Sequence, residues 1–231
     1  MGRQMRRQVV KYVFYKVDPA WRRLGAEEKE QGKKEFQAAV ERHAAQCMIR
    51  PYSLVGLRGD ADFMLWVVSD TLEPQEALGA DVFRTGLGKY LHMPYSFLAM
   101  TRRSIYVDAH SHPGSEGSRA TIQPSNAPYL FVYPFVKTRA WYRLPKAERQ
   151  RMMDEHIGVG HKYPSVKINT SYSYGIDDQE FVVAFEADDP ATFLDLVMEL
   201  RDSEASGYTE RDTPAFTCIA RSLPDLLEAI G

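Results

Sequence analysis

The sequence predicts an α+β protein made of two ferredoxin-like β-α-β-β-α-β units with antiparallel sheets packed face to face. Three observations point there. First, residues 10–24 (VKYVFYKVDPAWRRL) and 129–144 (YLFVYPFVKTRAWYRL) repeat one pattern: an aromatic-rich strand, a short break, then a Trp and a Leu opening a charged helix. Second, GLRGDADFMLWVV (56–68) aligns with GIDDQEFVVAF (175–185) after one gap, so Phe63 meets Phe181 and Asp60 meets Asp178. Third, both halves then run into a helical pattern and close with a strand, YSFLAMTR (95–102) and AFTCIARS (215–222). The strands alternate faces and the helices carry apolar stripes, so each sheet must bury a face. The halves are 1–102, expected to be structural, and 129–231. Residues 103–128 form a Ser-, Gly- and Pro-rich linker without periodicity, and loops of that length are usually functional or mobile.

Bulk properties narrow the function classes. Apolar residues make up 44% and charged residues 26%, which describes a folded chain rather than a disordered one. A net charge of -2 gives no reason to expect nucleic acid or an anionic membrane as partner. No stretch approaches the roughly 20 apolar residues of a membrane span. The basic start, MGRQMRRQVVKYVFYKV, becomes a strand before any signal-peptide core could form. A cytoplasmic protein is the expectation. Cys47 and Cys218 belong to no metal-type spacing and read as two buried, reduced thiols.

The halves differ most on the second half's first strand and helix. On YLFVYPFVK, period two puts Tyr129, Phe131, Tyr133, Phe135 and Lys137 on one face and Leu130, Val132 and Val136 on the other. Four rings ending in an ammonium group suit the wall of a flat aromatic ligand with carboxylate edges. They equally suit an interface strand whose Lys reaches solvent. Pro134 favours an edge or a bulge. The helix is expected over LPKAERQRMMDEHIGVG (144–160), with Pro145 in its first turn and Gly158 and Gly160 at its exit. Met152, Met153 and His156 share a face by i+3 and i+4 spacing, and Arg149 continues it. A lone His on such a face is more often a core residue than a ligand. The first half has no counterpart to His156.

Taken together, YPFVK (133–137), RAWYRLP (139–145), MMDEHIGVGHKYP (152–164) and SYGIDDQEFVVAFE (173–186) resemble the second half of chlorite dismutase-like proteins, which include the coproheme decarboxylases. LVGLRGDADFMLWV (54–67) and FRTGLGKYL (83–91) extend the likeness into the first half. The resemblance implies duplicated barrels, usually homopentameric, with haem b or iron-coproporphyrin III bound only in the second half. It implies that His156 binds iron, Lys137 holds a propionate, and Trp141 and Tyr142 flank the porphyrin. It makes Glu204 the candidate partner of the ligating imidazole. It also implies a reactive role for Tyr133, where chlorite dismutases carry an aliphatic residue. The phenol would relay hydrogen peroxide oxidation to a propionate, leaving a vinyl group. The distal position, an Arg in chlorite dismutases and a Gln in some decarboxylases, falls at Ile168, or at Asn169 without a gap. His110, His112 and His161 are candidate distal bases, and Arg119 a candidate propionate ligand. The expected activity is therefore peroxide-dependent decarboxylation of coproheme to haem b. A haem peroxidase, a chlorite dismutase-like enzyme and a non-enzymatic haem-binding protein are the alternatives.

Overall fold

The computed structural model describes residues 7–106 and 121–231. It is α+β with antiparallel pairing throughout the registered strands. Two compact units form, Met1–Leu98 with Thr217–Gly231, and Ala99–Phe216. Sequence repeat and compact unit thus divide the chain differently at its end. Residues 215–222 belong by repeat to the second half, whereas Thr217 onward packs with the first unit.

In the first unit, β1 (Val9–Val17), β2 (Cys47–Ser53), β3 (Phe63–Ser69) and β4 (Leu91–Met100) stand in the order β4-β1-β3-β2, the ferredoxin-like order. α1 (Ala26–Arg42) and α2 (Glu73–Arg84) are the crossovers. The short β9 (Phe216–Ala220) pairs with β2 through Tyr52↔Ala220 and Ser53↔Ile219. After it, α6 (Leu223–Ala229) starts at Ser222, whose hydroxyl accepts from the Asp225 N–H. Val13, Tyr15 and Val17 of β1, Phe63 and Leu65 of β3, and Phe36 of α1 close into one core with Leu226 and Ile230 of α6. Trp21 lies within it and donates its indole N–H to the Gly231 carbonyl at 2.6 Å. Burying each such side chain stabilises the unit by about 1.5–3 kcal/mol.

The second unit repeats the plan. β5 (Tyr129–Lys137), β6 (Lys167–Tyr172) and β7 (Phe181–Ala187) pair as β6-β7-β5, with the short β8 (Thr209–Arg211) on the far side of β5. A bulge falls between Val136 and Lys137, just after Pro134. The helix expected over 144–160 is α4 (Lys146–His161), and a short α3 (Arg139–Arg143) precedes it. Pro145 is the N-cap between them, with extended ψ, because a proline pushes its predecessor Leu144 out of helical geometry. Nor do Gly158 and Gly160 end α4. The helix runs through both to His161, and open space surrounds each glycine where a Cβ would stand. α5 (Pro190–Asp202) begins at Asp189, whose carboxylate accepts from the Ala191 and Thr192 N–H groups. A 3-10 turn, Glu204–Tyr208, leads from α5 into β8.

Candidate functional site

The repeat gives the site an internal control. With Trp141 standing where Trp21 stands, the same offset pairs Tyr133 with Val13, Lys137 with Val17 and His156 with Phe36. In the first unit these positions are shut inside the core: Val13 is 4% exposed, Val17 2% and Phe36 0%. In the second they carry a phenol, an ammonium and an imidazole. The cross-strand neighbours follow suit. Tyr15↔Phe63 and Val13↔Leu65 are buried pairs, while their equivalents Phe135↔Phe181 and Tyr133↔Val183 are only half-buried. The opposite face of the second sheet is closed, with Leu130, Val132, Val182 and Ala184 all buried. The helix-facing side of β5–β7–β6 is therefore less completely buried than its counterpart in the first unit, and this half-buried face is the candidate slot.

α4 lays His156 along that slot. One turn before it, Met152 is fully buried beside Trp141; one turn after it, Val159 packs in the cluster that holds Tyr133 and Phe131. His156 is half-buried between the two clusters, and neither ring nitrogen has a hydrogen-bond partner among the described residues. Burial, reinforced by the charge of Lys137, lowers its pKa to about 4, with Glu155 opposing. The imidazole is neutral at physiological pH, the form in which it can donate a lone pair. The unfolded chain protonates near pH 6.5, so between there and pH 4 it binds more protons than the folded one. Stability is accordingly lost as pH falls through that window. His156→Phe, which copies Phe36, should make the fall in Tm between pH 6.5 and 4 shallower than in the wild type. Parallel melting curves would reject the assignment.

Lys137 ends β5 at the bulge and is 8% exposed. Its ammonium donates to the Ala205 carbonyl at 2.6 Å and lies 4.6 Å above the Trp141 ring and 5.3 Å from that of Phe135. Among the described residues no carboxylate pairs with it, and burial lowers its pKa to about 8. A buried cation with no anion beside it is a ready carboxylate site. Trp141 is buried beneath it and Tyr142 lies alongside. The Tyr142 hydroxyl donates to Glu180 Oε2 at 2.5 Å and meets the Tyr174 hydroxyl at 2.7 Å. Glu180 belongs to this cluster, and sequence reasoning missed it. Its Oε2 also accepts the Lys137 backbone N–H at 2.9 Å. The bulge takes that N–H out of the ladder, and the acid opening β7 satisfies it. Only the pairing register reveals the need.

Tyr133 stacks on Phe185 at 5.9 Å. Burial, with Asp212 nearby, holds its phenol well above the usual tyrosine range, and Arg201 works in the other direction. The hydroxyl is protonated and has no hydrogen-bond partner among the described residues. On β6, Ile168↔Phe185, Thr170↔Val183 and Tyr172↔Phe181 put Ile168, Thr170 and Tyr172 on the slot face. Ile168 is 37% exposed. Asn169 points to the closed face, where its amide donates to Glu186 at 2.9 Å. Of the two candidate distal positions, Ile168 is the one on the slot face.

Other expectations need correction. Glu204 is not set beside His156; its carboxylate pairs with Arg151 at 2.7 Å, because the 3-10 turn carries it to an exposed edge of α4. Arg149 is half-buried. Its Nη1 contacts the Tyr106 hydroxyl at 3.4 Å, and its Nε is buried without a partner. His161 is exposed in the last turn of α4, about 140° around the helix from His156. His110, His112 and Arg119 lie outside the described residues. Both cysteines are free and buried. No helix among the described residues is long and apolar enough to cross a membrane.

The donor set suits one kind of metal group. No three His, Cys, Asp or Glu side chains among the described residues converge to hold an ion. A single neutral imidazole on an aromatic slot, with a cation at its edge, fits an iron whose other ligands belong to a flat, carboxylate-bearing macrocycle. Comparison with known proteins agrees. The chlorite dismutase family pattern matches residues 29–221. A coproheme decarboxylase from Mycolicibacterium smegmatis is 35% identical over 177 residues, 76% of this chain and 74% of that protein. Chlorite dismutase from Candidatus Nitrospira defluvii in complex with imidazole superposes with a TM-score of 0.87 at 24% identity, over 96% of this chain and 94% of that one, which speaks for the fold. A haem-binding protein from Thermus thermophilus superposes with a TM-score of 0.83 at 26% identity, over 96% and 94%. The chain belongs to the chlorite dismutase family, a haem-binding family.

Proposed function

We propose that this protein is a coproheme decarboxylase, converting iron-coproporphyrin III to haem b with hydrogen peroxide as oxidant. The observations that carry the reading are that the neutral imidazole of His156 lies near enough to Lys137 to feel its charge, and that the phenol of Tyr133 and the carboxylate-free ammonium of Lys137 share one face of β5. Their equivalents in the first unit are Phe36, Val13 and Val17. The 35% identity to a coproheme decarboxylase supports the same choice.

His156 would hold the iron, Trp141 and Tyr142 would flank the ring, and Lys137 would hold a propionate. When bound, the iron tetrapyrrole supplies peroxide-driven oxidation and is at once cofactor and substrate. Tyr133 Oη gives up its hydrogen and takes one back from the propionate carbon next to the ring. Each propionate, with one peroxide and one proton, then yields a vinyl group, carbon dioxide and two waters. Lys137 holds the carboxylate for this transfer, and Glu180 holds the Lys137 backbone. Ile168 leaves the sheet side of the slot aliphatic, so the cation that would assist a chlorine oxyanion is missing from that position.

The test is a peroxide titration of the apoprotein loaded with iron-coproporphyrin III, followed by mass spectrometry. Two stepwise losses of carbon dioxide are expected. Bleached porphyrin alone would refute the reading, and reversible haem exchange without turnover would favour a haem carrier, for which the aliphatic Ile168 also speaks.

A further inference from the structure

We propose that Arg102 binds a carboxylate of the tetrapyrrole at the edge of the slot opposite Tyr133. This rests on the decarboxylase reading for the ligand's identity and adds to it a second anchoring point. The register places the residue. Met100 pairs antiparallel with Tyr172, so two residues later the chain brings Arg102 level with Thr170. Thr170 is paired with Val183, and Val183 with Tyr133. The four residues Tyr133, Val183, Thr170 and Arg102 therefore form one row across the slot face. Three strand spacings separate its ends, about 14 Å from backbone to backbone. A tetrapyrrole bearing side chains on both edges can bridge that span.

The surroundings of Arg102 are those of an anion site. A small pocket of about 40 Å³ opens here, lined among others by Thr101, Arg102, Gln123, Lys167, Ile168 and Thr170. Its lining holds two cations, hydroxyls and amides, and no acid. Ile168 and Thr170 of its lining are also residues of the slot face of β6. Lys167 donates to the Gln123 carbonyl and so fixes the chain along the pocket's rim. Arg102 is exposed, and among the described residues no carboxylate pairs with it. The Tyr172 phenol, pushed up by burial, is drawn partly back by the Ser104 hydroxyl and then by the charge of Arg102. Guanidinium is the side chain best shaped to take a carboxylate, through two parallel N–H donors. Lys137 and Arg102 would then hold the ring from two sides, leaving Tyr133 aligned with the propionate that reacts.

Soret titrations of the apoprotein with iron-coproporphyrin III, haem b and haem b dimethyl ester test this, using the wild type, Arg102→Gln and Arg102→Lys. Arg102→Gln should weaken both free acids about tenfold, the value of one charge-assisted carboxylate contact, and leave the ester within about twofold. Arg102→Lys should restore most of the loss. Equal losses for acids and ester, or no loss for the acids, overturn the proposal. So does formate binding that depends on Arg102 while porphyrin affinity does not, since the pocket would then serve a free anion. Arg102-dependent uptake of the free acids without decarboxylation would remove the decarboxylase reading and support this one. Failure of the wild type to take up any porphyrin overturns both.

Discussion

Tyr133→Phe is expected to bind iron-coproporphyrin III within about threefold of the wild type and to decarboxylate it at least about a hundredfold more slowly, the lower range for a group acting on the reacting atoms. The two effects separate because the substitution removes one oxygen and keeps the ring. Stacking on Phe185 and the apolar contacts with Phe131 and Val159 remain. The hydroxyl makes no hydrogen bond to the described residues, so losing it costs little stability, within about 1 kcal/mol. What disappears is the only O–H on β5's slot face between Phe131 and Lys137, and with it the group able to lose and regain a hydrogen at the propionate. Tyr172 also carries a phenol on that face, but two strands away on β6. Stopped reactions analysed by mass spectrometry, beside a Soret titration of the same variant, measure both quantities. A variant that binds normally and turns over at the wild-type rate would remove Tyr133 from the chemistry.

The duplicated plan was legible because it is written in large side chains at fixed offsets. Phe63 and Phe181, matched from sequence, are the first residues of β3 and β7, and Trp21 and Trp141 are both buried in their units' helix-side clusters. Ends of elements were less legible. Gly158 and Gly160 look like a helix exit, yet α4 continues to His161, because glycine lowers helix propensity by only about 1 kcal/mol per residue and tertiary packing on either side outweighs it. Residues 215–222 repeat a strand pattern faithfully, but a strand pattern does not say which unit the chain after it will join.

At the site, side-chain periodicity put Tyr133 and Lys137 on the ringed face of β5, and His156 on α4 lies close enough to Lys137 to feel its charge. The choice between Ile168 and Asn169 could not be read from sequence, because a one-residue shift in a strand exchanges its faces. Glu204 and Glu180 show the complementary failure. Glu204 follows a helix end whose 3-10 turn redirects it to Arg151, while Glu180, at the start of β7, owes its place to a bulge in β5. Both depend on local backbone irregularities, which no side-chain pattern encodes.

Lys137→Met should make the ligand-free protein more stable and the loaded one weaker, and the opposition of those signs is the argument for what Lys137 does. Burial lowers the ammonium's pKa to about 8, against about 10.4 in the unfolded chain. Between those values the unfolded chain holds a proton that the folded one lacks, so wild-type stability rises with pH there; below pH 8 the full cost of burying the charge is present. Methionine keeps the contacts with Trp141 and Phe135 and removes the charge. It also loses the bond to Ala205, so the gain below pH 8 should be about 1–2 kcal/mol, less than the roughly 3 kcal/mol the shift alone represents. The rise in stability from pH 8 to about 10.4 should vanish with it. Affinity for iron-coproporphyrin III should fall about tenfold or more at pH 7, and in the wild type it should decline as pH passes 8 and the ammonium discharges. Thermal melts across pH 6–10, with Soret titrations at the same values, read both. A Lys137→Met protein destabilised equally at every pH would mean that the ammonium serves the fold through Ala205 and Trp141. A variant that is sturdier when empty and poorer when loaded would mean that the fold tolerates a costly buried charge because an anion is meant to meet it there.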